Sequence, residues 1–257
     1  MTAFGSPRRH VEECGSTNDL ARDWAQDSDN PAPSGALVTA DFQTQGRGQR
    51  GRQWQAGPGR SALMSFVYRL PPQPNAGELG LLTALAVAEA LASLDARLDV
   101  RLKWPNDVLL DGRKAAGVLV EVAGAGERSE SFGVLGVGVN VNQDAFVGAE
   151  DFVYPPTSLR LAAGRTWDVE PVVEAVAQSL TVWEDHWRQD GFGPVLDACR
   201  ARLAVGAVLR RGGQRAVLVG MGAQGQARVR WTDGTFAEWV TVDEGHPAPE
   251  TPTAGVS

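Results

Sequence analysis

The sequence predicts an α+β protein in which one β-sheet is flanked by long helices and followed by a small barrel of antiparallel strands. Three observations lead to this prediction. Four short apolar runs follow one another between residues 100 and 141, which is typical of adjacent strands in one sheet. Two segments, 78–94 and 168–189, have the length and composition of long helices. After Arg202, short strand-like runs alternate with glycine-containing turns.

The first helix is predicted to begin at the S-x-x-D pattern of residues 16–19 and to end near Asp27. Side chains in this pattern can cap a helix, and Leu20 and Trp24 lie one turn apart. The turn-rich segment NPAPSG at 30–35 then separates this helix from the strands that follow. These strands are predicted at 36–43 and 62–70.

The segment 78–94 is rich in strong helix formers and is apolar on most of its circumference, so we expect a largely buried helix. Four strands of one sheet follow it, and Asp111-Gly112 is predicted to join the middle two as a hairpin. The four strands are predicted at 100–104, 107–112, 114–122 and 131–141. Residues 168–189 form the second long helix.

The composition change after Arg202 predicts the domain boundaries. The large domain covers 1–202, and the small barrel, built from the runs AVLRR, QRAVLVGM, ARVRW and FAEWV, covers 203–244. Residues 245–257 are rich in Pro, Thr and Gly without a periodic apolar pattern, so we predict a disordered tail.

The overall charge argues against a protein that holds nucleic acid on a broad basic face. The chain has 257 residues, 43% of them hydrophobic, with a net charge of −7 and a pI near 5.1. Cys14 and Cys199 match no zinc or redox spacing, which favours a reducing compartment. The N-terminus has no apolar signal region, and no run approaches 18 uninterrupted apolar residues. We therefore expect a cytoplasmic protein.

The segment GRGQRGRQW at 46–54 contains the G-x-G-x-x-G spacing of a dinucleotide-binding turn, but its context excludes that function. Such a turn must open a helix and be followed about 20 residues later by an acidic residue. Here two glycines and a proline follow at 57–59, and no acidic residue lies between Asp41 and Glu78. What is left is an arginine-rich, glycine-rich loop.

This loop predicts a local site for a specific anion. Four arginines lie between residues 46 and 60, inside a window, 42–77, that has no carboxylate in an otherwise acidic chain. Arginine presents a planar fork to carboxylate or phosphate oxygens, and glycines let backbone N–H groups approach the same ligand. The alternative is a surface loop whose arginines are simply solvated. The four arginines are Arg47, Arg50, Arg52 and Arg60.

Lys103 and Lys114 are the only lysines among 24 basic side chains. They lie on either side of the predicted hairpin, so on neighbouring antiparallel strands both side chains could point to one face and create a pair of compact positive charges. Such a pair suits a phosphate or carboxylate that moves during a reaction. The alternative is that both lysines lie by chance on exposed strand ends. The turn at 104–107 between them has ordinary turn chemistry.

The histidines support neither a catalytic triad nor a metal site. His10, His186 and His246 lie in separate parts of the predicted fold. An enzyme without such groups can still act by holding two anions together and neutralising their repulsion. Phosphoryl and nucleotidyl transfer fit this description.

Five motifs in order along the chain give it a specific resemblance to the biotin protein ligases, over about residues 10–243. This resemblance implies a class II synthetase-like catalytic domain with a mixed sheet, and an SH3-like C-terminal module. The motifs are Ser16-Thr17-Asn18, Gln43 with GRGQRGRQW, KWPND at 103–107, RKAAGVLVE at 113–121, and GVGVNVN at 136–142.

The resemblance also implies a two-step reaction. The carboxylate of biotin attacks the α-phosphate of ATP and releases pyrophosphate, and a lysine amine of a biotin carboxyl carrier protein then attacks the biotinyl-adenylate. Biotin and ATP are the small-molecule substrates, and Mg²⁺ is expected to arrive with ATP because no acidic cluster marks a metal site on the protein. Neither nucleic acid nor membrane is an expected partner, and a homodimer is left open.

By position, the resemblance assigns residues to three roles. Helix capping is the competing explanation for Ser16 and Thr17, and a strand end satisfied by backbone hydrogen bonds is the one for Asn140. The apolar GVLVE strand is expected to form a wall for the biotin ring and also part of the sheet core. The implied catalytic residues are Arg47, Lys103 and Lys114. The implied biotin-binding residues are Ser16, Thr17, Asn18, Gln43, Arg47, Gly48, Gln49, Lys114 and Gly117. The implied ATP-binding residues are Arg50, Arg52, Trp54, Lys103 and Asn140.

Two features separate this sequence from some members of the family. Many relatives have arginine where this chain has Gln49, so its retention of the adenylate could be weaker unless Arg50 substitutes. About a dozen residues precede the first motif, which is too short for the N-terminal helix-turn-helix of ligases that repress transcription. We therefore expect a single-function ligase. The alternatives are a lipoate or octanoate ligase or transferase of the same superfold, and a biotin-responsive DNA-binding regulator.

Overall fold

A seven-stranded mixed sheet forms the centre of the molecule. The computed structural model describes residues 2–69, 76–123, 131–146 and 154–240, except for the side chain of Arg50. Neighbouring strands are antiparallel except for the first two, which are parallel, and this gives the mixed sheet that the resemblance implied. The strands are β1 (Arg8–Cys14), β2 (Leu37–Gln43), β3 (Ser61–Arg69), β4 (Val100–Lys103), β5 (Asp107–Leu110), β6 (Arg113–Ala123) and β7 (Phe132–Asn140), in the order β1-β2-β3-β7-β6-β5-β4.

Helices cover both faces of this sheet. The first helix packs with Val38, Val67 and Val134 in a small cluster on one face, and the larger core lies on the other face under the remaining long helices. The three predicted helices are confirmed, whereas α3 and α5 were not predicted. The helices are α1 (Thr17–Gln26), α2 (Ala76–Leu94), α3 (Leu159–Ala163), α4 (Val169–Asp190) and α5 (Phe192–Arg202).

The central helix α2 is the most apolar element of the chain. It is long and apolar enough to cross a membrane by length and composition, but most of it is buried inside the protein. Leu85, Val87 and Leu91 are fully buried between the sheet and α4. An all-round apolar pattern is expected of a helix that contacts the core on several sides, and the predicted burial is confirmed.

The β5–β6 hairpin brings the KWPND segment and the second lysine into the same sheet. Asp111 and Gly112 both have positive φ angles, 49° and 74°, as the predicted two-residue turn requires. Lys103 on β4 lies opposite Asp107 on β5, while Lys114 lies on β6. We had expected the two lysines to lie on neighbouring strands. This expectation is wrong, because β5 runs between the two strands that carry them.

Four antiparallel strands form the second sheet, as predicted. This sheet is packed against the larger domain: the indole Nε1 of Trp104 donates a hydrogen bond to the carbonyl oxygen of Gly225, and a Cβ at Gly225 would lie 2.6 Å from Leu81. Residues 241–257, which include the predicted tail, lie outside the described residues. The strands are β8 (Val208–Arg211), β9 (Gln214–Met221), β10 (Ala227–Arg230) and β11 (Phe236–Trp239), in the order β11-β10-β9-β8.

Candidate functional site

One cavity of about 870 Å³ collects most of the residues selected from the sequence. It lies between the start of α1, the glycine-rich loop and the face of β6 and β7. Of the selected residues, two are not among those that line it: Lys103 is buried elsewhere, and the side chain of Arg50 lies outside the described residues. The lining includes Ser16, Thr17, Asn18, Gln43, Arg47, Gly48, Gln49, Arg52, Trp54, Lys114, Gly117 and Asn140.

The start of α1 forms a polar end of the cavity. The amide oxygen of Gln43 accepts hydrogen bonds from the backbone N–H of Thr17 at 2.7 Å and from its hydroxyl at 3.0 Å. The Ser65 hydroxyl, which is buried, lies 2.6 Å from Oδ1 of Asn18 and 2.8 Å from the Thr17 hydroxyl. Ser65 was missed in the sequence, although a serine inside the apolar run ALMSFVYRL was a usable signal.

Asn18 is fixed from its other side by the sheet. Its Nδ2 donates to Oε2 of Glu121 at 2.7 Å. A Cβ at Gly136 would lie 2.3 Å from Oδ1 of Asn18, so only glycine allows this approach. The amide is thus held in one orientation at the cavity wall.

The predicted capping box at the start of α1 is wrong. Ser16 occupies the N-cap position with an extended backbone, but its side chain makes no capping hydrogen bond. Asp19, the acidic member of the pattern, instead binds Arg47 and Arg22. The polar groups of this first turn are therefore turned toward the cavity and its loop.

The glycine-rich loop folds as a tight hairpin, and β3 follows it without an intervening helix. The backbone N–H of Trp54 donates to the carbonyl of Gly46 at 2.9 Å, and that of Gly48 donates to Arg52 at 2.7 Å. A single 3₁₀ turn at Gln49–Gly51 forms the tip. The exclusion of a dinucleotide-binding turn is confirmed. A Cβ at Gly46 would lie 2.4 Å from the carbonyl oxygen of Trp54, which explains why glycine is needed there.

Carboxylates from other segments form ion pairs with arginines of this loop. Both terminal nitrogens of Arg47 lie 2.6 Å from the carboxylate of Asp19, and one lies 3.6 Å from Glu121. The hydrogen bonds from Arg47 lower the pKa of Asp19 below its usual value, even though partial burial opposes this. Arg60 pairs with Asp144 at 2.9 Å. The loop sequence contains no acidic residue, but in the folded protein carboxylates from other segments lie beside its arginines.

The two lysines meet at one buried carboxylate. Nζ of Lys103 donates to Oδ2 of Asp107 at 3.0 Å, and Nζ of Lys114 lies 2.5 Å from Oδ1. Lys103 is 1% exposed, whereas the side chain of Lys114 is 21% exposed and lines the cavity. Burial alone would raise the pKa of Asp107, but Lys114 and Lys103 together hold it well below its usual range.

The floor of the cavity is a pair of glycines covered by an indole. Gly117 on β6 and Gly138 on β7 are cross-strand partners, and Trp54 lies over both. A Cβ at Gly138 would lie 2.6 Å from Cε2 of Trp54, and one at Gly117 would lie 3.2 Å from Cζ3. The indole Nε1 is buried and makes no hydrogen bond within the described residues. The flat indole of Trp54 can lie on this floor because neither glycine has a side chain.

The asparagines at the end of β7 bind backbone groups. Asn140 lines the cavity and donates from Nδ2 to the carbonyl of Thr157 at 3.0 Å. Asn142 both donates to and accepts from the backbone of Trp167. Their backbone bonds are those expected of a strand end, and Asn140 is the one that also faces the cavity.

The donor set of the site does not suit a metal held by the protein. Within the described ranges, no three carboxylate, imidazole or thiol side chains come together as metal ligands. The carboxylates around the cavity are occupied by arginine or lysine.

Comparison with known proteins gives consistent results. The profile of the biotin/lipoate A/B protein ligase family matches residues 13–140. The chain is 33% identical over 228 residues to a biotin–[acetyl-CoA-carboxylase] ligase of Mycobacterium tuberculosis, covering 85% of this chain and 80% of that protein. It is 35% identical over 172 residues to the bifunctional ligase/repressor BirA of Bacillus subtilis, covering 65% of this chain. The match spans about half the length of BirA, 51%.

A solved structure is similar over almost the whole fold. The biotin protein ligase from Aquifex aeolicus in complex with biotin and ATP has a TM-score of 0.77 and 26% sequence identity. The match covers 92% of this chain and 96% of that one.

Proposed function

The chain belongs to the biotin/lipoate A/B protein ligase family, and from this premise we propose that it is an ATP-dependent biotin ligase. In the first step, a carboxylate oxygen of biotin attacks the α-phosphorus of ATP. The bond between the α-phosphorus and the bridging oxygen breaks, and pyrophosphate leaves. In the second step, a lysine amine of a biotin carboxyl carrier protein attacks the acyl carbon of biotinyl-AMP. AMP leaves, the amine loses a proton, and an amide remains.

One observation carries this proposal: a single cavity joins an uncharged polar end, an apolar strand wall and a set of cations. Biotin has the same three parts, namely a ureido group, an aliphatic chain and a carboxylate. Thr17, Asn18 and Gln43 would bind the ureido end, and the strand at 117–119 would pack against the ring and chain. Lys114 would then meet the carboxylate.

The chemistry needs charge neutralisation more than a proton-transfer group. Biotin carboxylate and ATP are both anions, so their approach is opposed by electrostatic repulsion. Lys114, Arg47 and Arg52 line the cavity and supply positive charge from two sides. ATP would enter as its magnesium complex, in which the ion would lower the charge of the phosphates. Trp54, above the glycine floor, is the candidate for closing the adenine side.

The partner and the small sheet belong to the same proposal. The protein substrate would be the carrier domain of a biotin-dependent carboxylase, in the cytoplasm. The four-stranded sheet would close into an SH3-like barrel beside the site, as the resemblance implies. Residues 1–202 would then be the catalytic unit, and 203–244 the accessory unit.

The test is a complete reaction with defined substrates. Purified protein is mixed with biotin, MgATP and a biotin carboxyl carrier domain, and the intact mass of the carrier is measured. We expect the gain of one biotinyl group on one lysine, with pyrophosphate release that depends on biotin. Lys114→Met is the matched negative control, because methionine is similar in length to lysine but carries no positive charge into the cavity.

Two further arms separate the alternatives. A protein that loads lipoate or octanoate in place of biotin would be a ligase or transferase of the other branch of the family. Tight, salt-sensitive binding to duplex DNA in a gel-shift assay would instead indicate a regulator.

A further inference from the structure

We propose that Gln143 is a positioning residue for the nucleotide, which holds the backbone next to Trp54 so that the indole stays over the glycine floor of the cavity. The inference rests on the proposed function, because it concerns the adenine side of ATP, for which Trp54 is the candidate. It gives a role to a residue just beyond β7 that none of the five motifs includes.

The side chain of Gln143 binds the loop after the hairpin at two places. Its amide oxygen accepts a hydrogen bond of 3.1 Å from the backbone N–H of Gly57, and its Nε2 donates one of 3.3 Å to the carbonyl oxygen of Gln55. Gln143 is only 8% exposed, so both bonds are largely shielded from water, which strengthens them. One side chain therefore spans the three residues that follow Trp54.

The backbone at this point has no regular structure to order it. Residues 54–57 belong to no helix or strand, so no ladder of backbone hydrogen bonds runs along them. The N–H of Trp54 donates to the carbonyl of Gly46 at 2.9 Å, which fixes the start of the segment. Gln143 fixes the rest, and the indole is thus carried by a backbone that is held at Trp54 and again just after it.

The connection between the loop and the sheet does not need Gln143. The carbonyl oxygen of Arg60 accepts backbone hydrogen bonds from Val141 at 3.2 Å and from Asn142 at 2.7 Å. These bonds join the two segments without any side chain. Gln143 adds bonds only next to Trp54, so we assign its role to the indole and not to the path of the chain.

The indole makes no hydrogen bond of its own that could fix its position. Its Nε1 is buried and has no partner within the described residues. Its contact with Gly117 and Gly138 is apolar packing, which has little directional preference. Without a fixed backbone, the ring would be free to tilt on the floor. A displacement of about 1 Å in a group that positions a substrate can lower the rate on the order of a hundredfold.

Direct contact with ATP is the rival explanation, because Gln143 also lines the cavity. The two explanations differ in how Gln143 depends on Trp54. A residue that acts through the indole loses its effect when the indole is removed, whereas a residue that touches the ligand keeps it. A double-mutant cycle between the two positions measures this difference.

The experiment compares Gln143→Met with Gln45→Met. Methionine is similar in length but can bind neither backbone group, so we expect KM for ATP in biotin-dependent pyrophosphate release to rise about five- to tenfold. KM for biotin should change less than about twofold, because the polar end of the cavity is untouched. Gln45 is exposed on the other side of the hairpin and does not line the cavity, so its variant should leave both values unchanged. The amide of Gly57 should exchange with deuterium faster in Gln143→Met than in wild type, because it loses its acceptor.

In the Trp54→Ala background, Gln143→Met should add little to KM for ATP. Additive effects, an unchanged KM for ATP, equal rises in both KM values or unchanged exchange at Gly57 would each overturn the inference. If Gln143→Met does not fold, Gln143→Asn decides, because its shorter side chain cannot reach both backbone groups: a selective rise in KM for ATP supports the inference, and a wild-type value refutes it. Wild-type protein that releases no pyrophosphate would count against the proposed function instead.

Discussion

Arg47 of the glycine-rich hairpin and Asp19 of α1 are joined by two contacts of 2.6 Å, one from each terminal guanidinium nitrogen. The pair ties the hairpin to the helix that carries the polar end of the cavity. Both side chains are partly exposed, 35% and 40%, so the pair is worth about 1 kcal/mol or less.

We expect Asp19→Asn to speed the escape of biotinyl-adenylate by about fivefold or less, because a weaker anchor lets the hairpin move away from the cavity. The measurement is the rate of adenylate release from a preformed single-turnover complex. Asp23→Asn is the matched control, since Asp23 is one turn further along α1 and does not line the cavity. Equal release rates for Asp19→Asn and wild type would argue against the anchor.

Gln49→Arg should slow the same release. Gln49 begins the turn at the tip of the hairpin and lines the cavity, so an added guanidinium there would face the adenylate phosphate. We expect a change of about two- to fivefold, the size of one partly exposed charge contact. Gln189→Arg, near the end of α4, adds the same charge far from the hairpin and should leave the rate unchanged. A release rate that does not respond to Gln49→Arg rules out this role.

Gly138→Ala should damage the cavity floor. The added Cβ would lie 2.6 Å from Trp54, so the indole must leave the floor. We expect KM for ATP or biotin to rise about tenfold or more, by the loss of a packed aromatic contact. Gly80→Ala, in α2 with open space around the new Cβ, is the control. In a double-mutant cycle, Gly138→Ala should add little to the effect of Trp54→Ala, whereas additive effects would show that the two positions are independent.

Asp107→Asn should make stability less dependent on pH. The two lysines hold the pKa of Asp107 in the folded protein below its value in the unfolded chain, about 3.9. The ionised carboxylate therefore stabilises the fold above about pH 4, and this contribution is lost as the pH falls toward the lower, folded-state pKa. At pH 7 we expect the variant to lose about 3 kcal/mol of unfolding free energy.

The measurement is denaturant unfolding of both proteins from pH 7 to pH 3. The difference between them should shrink below about pH 4. Asp29→Asn, in the exposed loop after α1, is the control for a lost surface carboxylate. A difference that stays constant over the whole range would mean that Asp107 contributes through packing and not through its charge.

Elements with a strong periodic pattern were predictable, and those without one were not. The apolar α2 and the DG hairpin follow from local preferences, and both are present. The edge strand β1, RRHVEEC, was missed because its side chains are mostly exposed and polar, which leaves no apolar alternation. The helix α5 was missed because Gly193 and Pro194 stand in its first turn, where they signal a break in sequence but are tolerated in structure.

The sequence selected residues that share one cavity, except for Lys103 and the side chain of Arg50, but it did not select the partners of their charged groups. Motifs along the chain selected residues that line one cavity. The carboxylates that hold the cations come from distant segments: Asp19 reaches Arg47, and Asp107 lies between two strands that each carry a lysine. These contacts depend on strand order and register, and strand order cannot be inferred from local patterns in the sequence. The capping box failed for the same reason, since a tertiary ion pair replaced a local hydrogen bond.

The hydrogen bond from the Trp104 indole to Gly225 has a thermodynamic consequence. Trp104 immediately follows Lys103, and Gly225 lies in a turn of the small sheet whose neighbours include Leu81 and Leu196. Because apolar side chains continue across this boundary, separating the two parts would expose core surface to water on both sides. Heating should consequently melt both parts in a single cooperative calorimetric peak, and amide hydrogens in β9 should exchange with deuterium about as slowly as those in β4.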